Sequence, residues 1–163
     1  MSRRPDPERL AAWRLLLEAH ATVVDRLGRE LEAETGLPLT WYDVLVQLNA
    51  APQGRLRMRD LARAVLLSRS GLTRLVDRME TAGLVCREAH DSDGRGANAL
   101  LTVAGRSALR RAAPVHLRGI DEHFARHLEA AEVAVLRTAL DRVVSRGGDP
   151  DGPACETRQK PLT

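Results

Sequence analysis

Lysine is almost missing from this 163-residue chain: Lys160 stands alone among 25 basic residues. Arginine is thus the general choice here, and an arginine-rich stretch means less than it would elsewhere. Aromatic side chains are nearly as scarce, being limited to Trp13, Trp41, Tyr42 and Phe124. A core must then be assembled from Leu, Val and Ala, which suits packed helices. The two cysteines, Cys86 and Cys155, make no disulfide framework. No run of 18 apolar residues exists, which excludes a helical membrane span. Residues 1–9 are charged and lack an apolar signal segment, so a cytoplasmic chain is expected. No Ser/His/Asp set, phosphate-cradling glycine loop or suitably spaced carboxylate pair is visible, which argues against an enzyme. Neither a cofactor nor a metal is expected.

What is present is concentrated between Asp60 and Thr102. The spacing predicts a short helix from about Met58 to Val65 that buries Leu61, Ala62 and Val65. A second helix follows, with Ser68 and Ser70 as N-cap residues. Leu72, Leu75, Val76, Met79 and Ala82 form its apolar stripe, and Arg69, Ser70, Thr73, Arg74, Asp77 and Arg78 its opposite face. Gly83 is placed to end it as a left-handed C-terminal residue. Two helices this short pack together only around a tight corner, the helix-turn-helix arrangement, whose second helix lies in a DNA major groove. Between Arg55 and Arg78 stand seven arginines against Asp60 and Asp77, a local excess of five charges in a chain of net charge +3. Positive charge gathered on one element is the electrostatic footprint of nucleic-acid binding.

A hairpin comes next. Residues 84–88 and 97–101 read as strands around a polar turn containing Gly94 and Gly96. Arg95 at the tip is suited to a minor groove, whose negative potential attracts it, and Asp93 could hold a neighbouring arginine in position. At these residues the chain resembles the MarR family of bacterial transcriptional regulators. The resemblance rests on Asp60-Leu61-Ala62, on Ser68-Arg69-Ser70 leading into Leu72-Thr73-Arg74-Leu75-Val76-Asp77-Arg78-Met79-Glu80, on Ala82-Gly83-Leu84-Val85, and on Asp93-Gly94-Arg95 followed by Leu101-Thr102. It extends less specifically over about residues 8–146. Gly71, inside the second helix, departs from a good helix pattern, since glycine there costs about 1 kcal/mol relative to alanine; it either allows close approach to DNA or is simply tolerated.

The fold class expected is mainly α with a small β wing: a winged helix-turn-helix over about 40–102, flanked by long helices over about 8–34 and 103–145. Residues 1–7 and the Gly/Pro-rich tail 147–163 are expected to be disordered. Gly36 and Pro38 should stop the first long helix, and Thr40 should cap a second one over 41–50. Residues 55–58 alternate as a short third strand, and Pro114 should kink or interrupt the helix that begins near Val103 and runs toward Leu128. The outer helices carry apolar stripes too wide for the small winged domain to cover. Burial against a second copy is therefore expected, and in MarR-like proteins the terminal helices form such a dimer. A two-fold protein presents two recognition helices about 34–36 Å apart, matching a pseudo-palindromic duplex.

For base contacts the chosen residues are Ser70, Thr73 and Arg74, with Ser68 and Arg69 at the helix start. Arg78, Arg55 and Arg57 suit phosphate, and Asp93 and Arg95 complete the wing. The alternative is that these arginines serve only ion pairs with Asp77 or Glu80. The resemblance further implies release from double-stranded DNA by a small aromatic or phenolic effector, for which His20, Trp41 and Tyr42 are the candidate lining. Other readings remain open. Cys86 beside Arg87 could sense oxidants, although peroxide-sensing members carry their cysteine in the first helix, where this chain has none. His123 and His127 are four apart with Glu122 and His116 nearby, but no third ligand at zinc spacing appears. A winged helix that docks another protein, without specific DNA binding, is the remaining class.

Overall fold

A computed structural model describes residues 5–89 and 97–147. The first helix, α1, spans Pro7–Thr35, one residue earlier than the spacing suggested, because Asp6 caps it by accepting the Arg9 amide at 2.9 Å. It stops at Gly36 as expected. α2 spans Leu39–Ala50. Thr40 is not its cap. Pro38 is: its carbonyl accepts from the Trp41 and Tyr42 amides, and its extended backbone sets the chain's entry into the helix.

A 3-10 turn over Pro52–Gly54 leads into strand β1, Arg55–Arg57. Then come α3, Met58–Ala64, and α4, Arg69–Thr81. Leu72, Leu75, Val76 and Met79 of α4 are buried, each contributing about 1.5–3 kcal/mol, whereas Ala82 lies exposed at the C-cap. The ends of both short helices use the same device. After α4, the Gly83 amide donates to the Glu80 carbonyl and the Leu84 amide to that of Met79, with Gly83 left-handed at φ +73°. After α3, the Leu66 amide donates to Arg63 and the Leu67 amide to Ala62. The left-handed residue there is Leu66 at φ +55°, a conformation that costs a non-glycine residue about 1–2 kcal/mol.

Strands β2, Val85–Ala89, and β3, Ala97–Leu101, form an antiparallel pair. β3 lies in the middle of a three-stranded sheet, with β1 along its other side and Leu56 opposite Ala99; the expected third strand is present. α5, Val103–His123, is capped by Thr102, whose hydroxyl accepts the Gly105 amide and reaches the Gly83 and Leu84 carbonyls. A Cβ on Gly105 would stand 2.1 Å from the Leu84 carbonyl oxygen, so only glycine lets α5 seat this close to the wing.

Two expectations about α5 need correction. Pro114 neither interrupts nor ends the helix. It sits on the exposed side, where water can satisfy the carbonyl that its missing amide releases. The helix stops at His123 rather than near Leu128, and a 3-10 turn, Ala125–His127, leads to α6, Ala130–Gly147.

The core joins α2, α3, α4, the sheet and the middle of α5, with Leu31 of α1, Val44, Leu45, Leu48, Leu61 and Val76 fully enclosed. α1 packs along α5, fastened by Arg118 to Glu34 and by His123 to Glu30 at 2.6 Å. The first half of α1 and nearly all of α6 lie outside this core. Trp13 is 56% exposed, Leu15 65% and Val144 73%.

Candidate nucleic-acid interface

Every residue of the predicted outer face of α4 is exposed: Arg69, Ser70, Thr73, Arg74, Asp77 and Arg78. Ser68 is the N-cap, its hydroxyl accepting the Gly71 amide at 3.1 Å. Ser70 sits in the first turn, 3.3 Å from that hydroxyl. A Cβ on Gly71 would lie 3.1 Å from the Ser68 hydroxyl and crowd the cap, which gives this glycine a local reason. The Thr73 hydroxyl donates back to the Arg69 carbonyl at 2.9 Å and so is partly occupied within the helix.

The helix carries two acids, Asp77 and Glu80, and neither pairs with its arginines. Both are taken by Arg87 of β2. Its guanidinium donates to Asp77, to Glu80 at 3.2 Å and to the Thr73 carbonyl at 3.0 Å, while its backbone amide donates to Glu80 at 2.9 Å. Among the described residues, Arg57, Arg63, Arg69, Arg74 and Arg78 therefore have no acidic partner. Arg55 differs, since it pairs with Glu88 across the sheet, and Arg59 meets its neighbour Asp60 at 3.3 Å. The expected alternative, pairing with Asp77 or Glu80, thus holds for none of the candidate arginines among the described residues; Arg55 is paired, but with Glu88. Sequence reasoning misses Arg87; its only signal there is an arginine in the strand that follows a helix bearing acids three apart, six positions past the end of that helix.

The resulting head joins a basic helix face to a hairpin. A family model described as the MarR family matches residues 35–96. Sco3205, a MarR family transcriptional regulator from Streptomyces coelicolor solved in complex with DNA, is 35% identical; the match covers 93% of this chain and 94% of that one, with a TM-score of 0.83. The chain belongs to the MarR family. AbsC, another MarR family regulator from Streptomyces coelicolor, is 34% identical over 89% of this chain and 97% of its own, at a TM-score of 0.81. BldR from Sulfolobus solfataricus shares the fold at 23% identity and a TM-score of 0.75, covering 88% and 99% of the two chains. No curated protein sequence matches.

In this MarR-family chain the wing tip, with Asp93 and Arg95, lies outside the described residues, as does Cys155. The candidate effector residues differ in exposure. His20 is exposed on α1 and Trp41 is half-buried at the start of α2. Tyr42 is 2% exposed, and its ring lies 4.4 Å from that of His116 on α5, tilted by 44°. Burial raises the Tyr42 hydroxyl above its ordinary range, helped by Asp43, and the same desolvation holds His116 below the usual imidazole value. The His116 Nδ1 is buried with no hydrogen-bond partner among the described residues.

The other histidines do not converge on a metal: His123 meets Glu30, His127 meets the Glu122 carbonyl at 3.1 Å, and no metal-holding group occurs among the described residues. Cys86 is exposed. No helix of the described residues is long and apolar enough to cross a membrane.

The depressed His116 has a measurable consequence. Its neutral form is favoured by folding, so its contribution is complete above the unfolded value of 6.5 and is lost as pH falls from there through the folded value. His116→Phe keeps a ring against Tyr42 and removes this titration. Urea unfolding at about pH 7.5 and about pH 5 should show a smaller loss of stability for the variant than for the wild type. Equal losses would deny His116 the role.

Proposed function

We propose that this chain is a homodimeric repressor that binds a pseudo-palindromic operator in double-stranded DNA and is released by a small-molecule effector in the cytoplasm. The observation that carries the DNA step is the α4 face: Arg69, Arg74 and Arg78 are exposed and unpaired among the described residues because Arg87 withdraws both acids of the helix. Arg74, with Ser70 and Thr73 and with Arg69 at the helix start, is assigned to base edges, and Arg57 and Arg78 to phosphate. Arg55 joins the phosphate set only by leaving Glu88. Asp93 and Arg95 are assigned to the minor groove. Sco3205, at 35% identity, was solved on DNA, which supports the same use of this head.

The exposed apolar side chains of α1 and α6 support the dimer. A second copy would cover Trp13, Val143 and Val144, at roughly 25 cal/mol per Å² removed from water. The effector is assigned to the Tyr42–His116 contact with Trp41 alongside. The orphaned His116 Nδ1 supports this, because an unpaired buried polar atom costs about 1–3 kcal/mol that a phenolic hydroxyl, able to donate or accept, would recover. His20 joins this site only if the second copy supplies it.

The experiment is sedimentation equilibrium followed by titration of a duplex obtained by random-sequence selection, repeated at rising salt. A dimer is expected, with affinity falling as salt rises. A monomer at all concentrations, or no binding at low ionic strength, would overturn the reading.

A further inference from the structure

Leu66 is the most exposed large apolar side chain in the described molecule, at 92%. It also holds a left-handed backbone, φ +55°, that favours glycine. A lone exposed leucine is ordinary on a protein surface. A strained backbone is ordinary where packing compensates it. Here the two coincide: the side chain gains nothing from the fold, and glycine would close the same corner without strain. Such outliers gather where a residue acts on something outside the chain.

Its position says what that is. Leu66 lies two residues before Ser68, the N-cap of α4, next to the end of the helix whose first residues meet base edges in a helix-turn-helix. The polar face of α4 begins at once with Arg69 and Ser70, both exposed, so Leu66, with the less exposed Leu67 at 37%, is the apolar part of an otherwise polar reading edge. The one apolar group that a base pair presents in the major groove is the thymine C5-methyl.

We infer that Leu66 is a specificity residue that packs on a thymine methyl at the edge of each half-site. This rests on the DNA-binding reading above.

The test uses the full chain and a duplex selected from random sequence, with each thymine replaced in turn by deoxyuridine, which lacks only the methyl. For the wild type, one replacement per half-site should weaken binding about fourfold, the worth of burying one methyl-sized group. Leu66→Gly should melt no lower than the wild type, bind the thymine duplex about sixteenfold more weakly because both subunits lose the contact, and ignore the replacement. Leu66→Met, still apolar and long, should keep the methyl effect. If no selected duplex binds at low salt, the DNA-binding reading itself fails. If duplexes bind but no thymine methyl matters, or if Leu66→Gly responds to deoxyuridine as the wild type does, only the assignment of Leu66 is overturned.

Discussion

Arg74→Ala should weaken binding to the selected duplex about ten- to a hundredfold and flatten the ranking among single-base variants of that duplex. The side chain is exposed in the second turn of α4 and has no acidic partner among the described residues. Nothing in the fold needs it, so the melting temperature should stay within a degree or two, as expected of a surface change worth about 0.5 kcal/mol or less. A bidentate arginine–guanine pair is worth about 1–3 kcal/mol of discrimination. The discriminating measurement is the affinity ratio between the best duplex and its variants. A uniform loss across all sequences would reassign Arg74 to phosphate, and an unchanged affinity would remove it from the interface.

Arg87→Ala should act on stability and binding together. Its guanidinium bridges Asp77, Glu80 and the Thr73 carbonyl. Hydrogen bonds to charged groups contribute about 1.5–3 kcal/mol. Both acids are more than a third exposed, however, and solvent screening reduces the net effect to about 1–2 kcal/mol. Binding should suffer more. Removing Arg87 leaves two carboxylates uncompensated on the element that must approach phosphates, and we expect about a tenfold or greater loss at low salt, shrinking as salt screens the exposed charges. Arg87→Lys keeps the charge but not the planar fork, so it should recover most of the affinity and less of the stability. Wild-type melting together with wild-type binding in Arg87→Ala would show that the acids are held by something else.

The contrast between Arg74 and Arg87 marks what could be read from sequence. The α3–α4 corner, the cap at Ser68, the stop at Gly83 and the strand at Arg55–Arg57 depend on neighbours a few positions apart, so spacing and turn chemistry reveal them. Arg87 meets Asp77 and Thr73 from ten and fourteen positions away, through the turn that seats β2 on the helix. No local pattern says which arginine wins the acids, and the nearer Arg74 and Arg78 were equal candidates on paper. The Tyr42–His116 contact spans α2 to α5 and was invisible for the same reason. Thr40 misled because a threonine before an apolar helix looks like a cap, yet Pro38 had already set the backbone. Pro114 misled because its effect on a helix depends on which side it faces, and that is settled by α1 and α2 packing on the other side of α5.

The supports of the head and the side chains assigned to base edges are drawn from different residues. Arg87 joins hairpin to helix, Arg55 and Glu88 span the sheet, and the Thr102 hydroxyl reaches from α5 to the carbonyls that follow α4. None of these attachments uses the side chains of Ser70 or Arg74. A lineage could thus recut the die at these two positions, and acquire a different operator, while the press that holds it stays untouched.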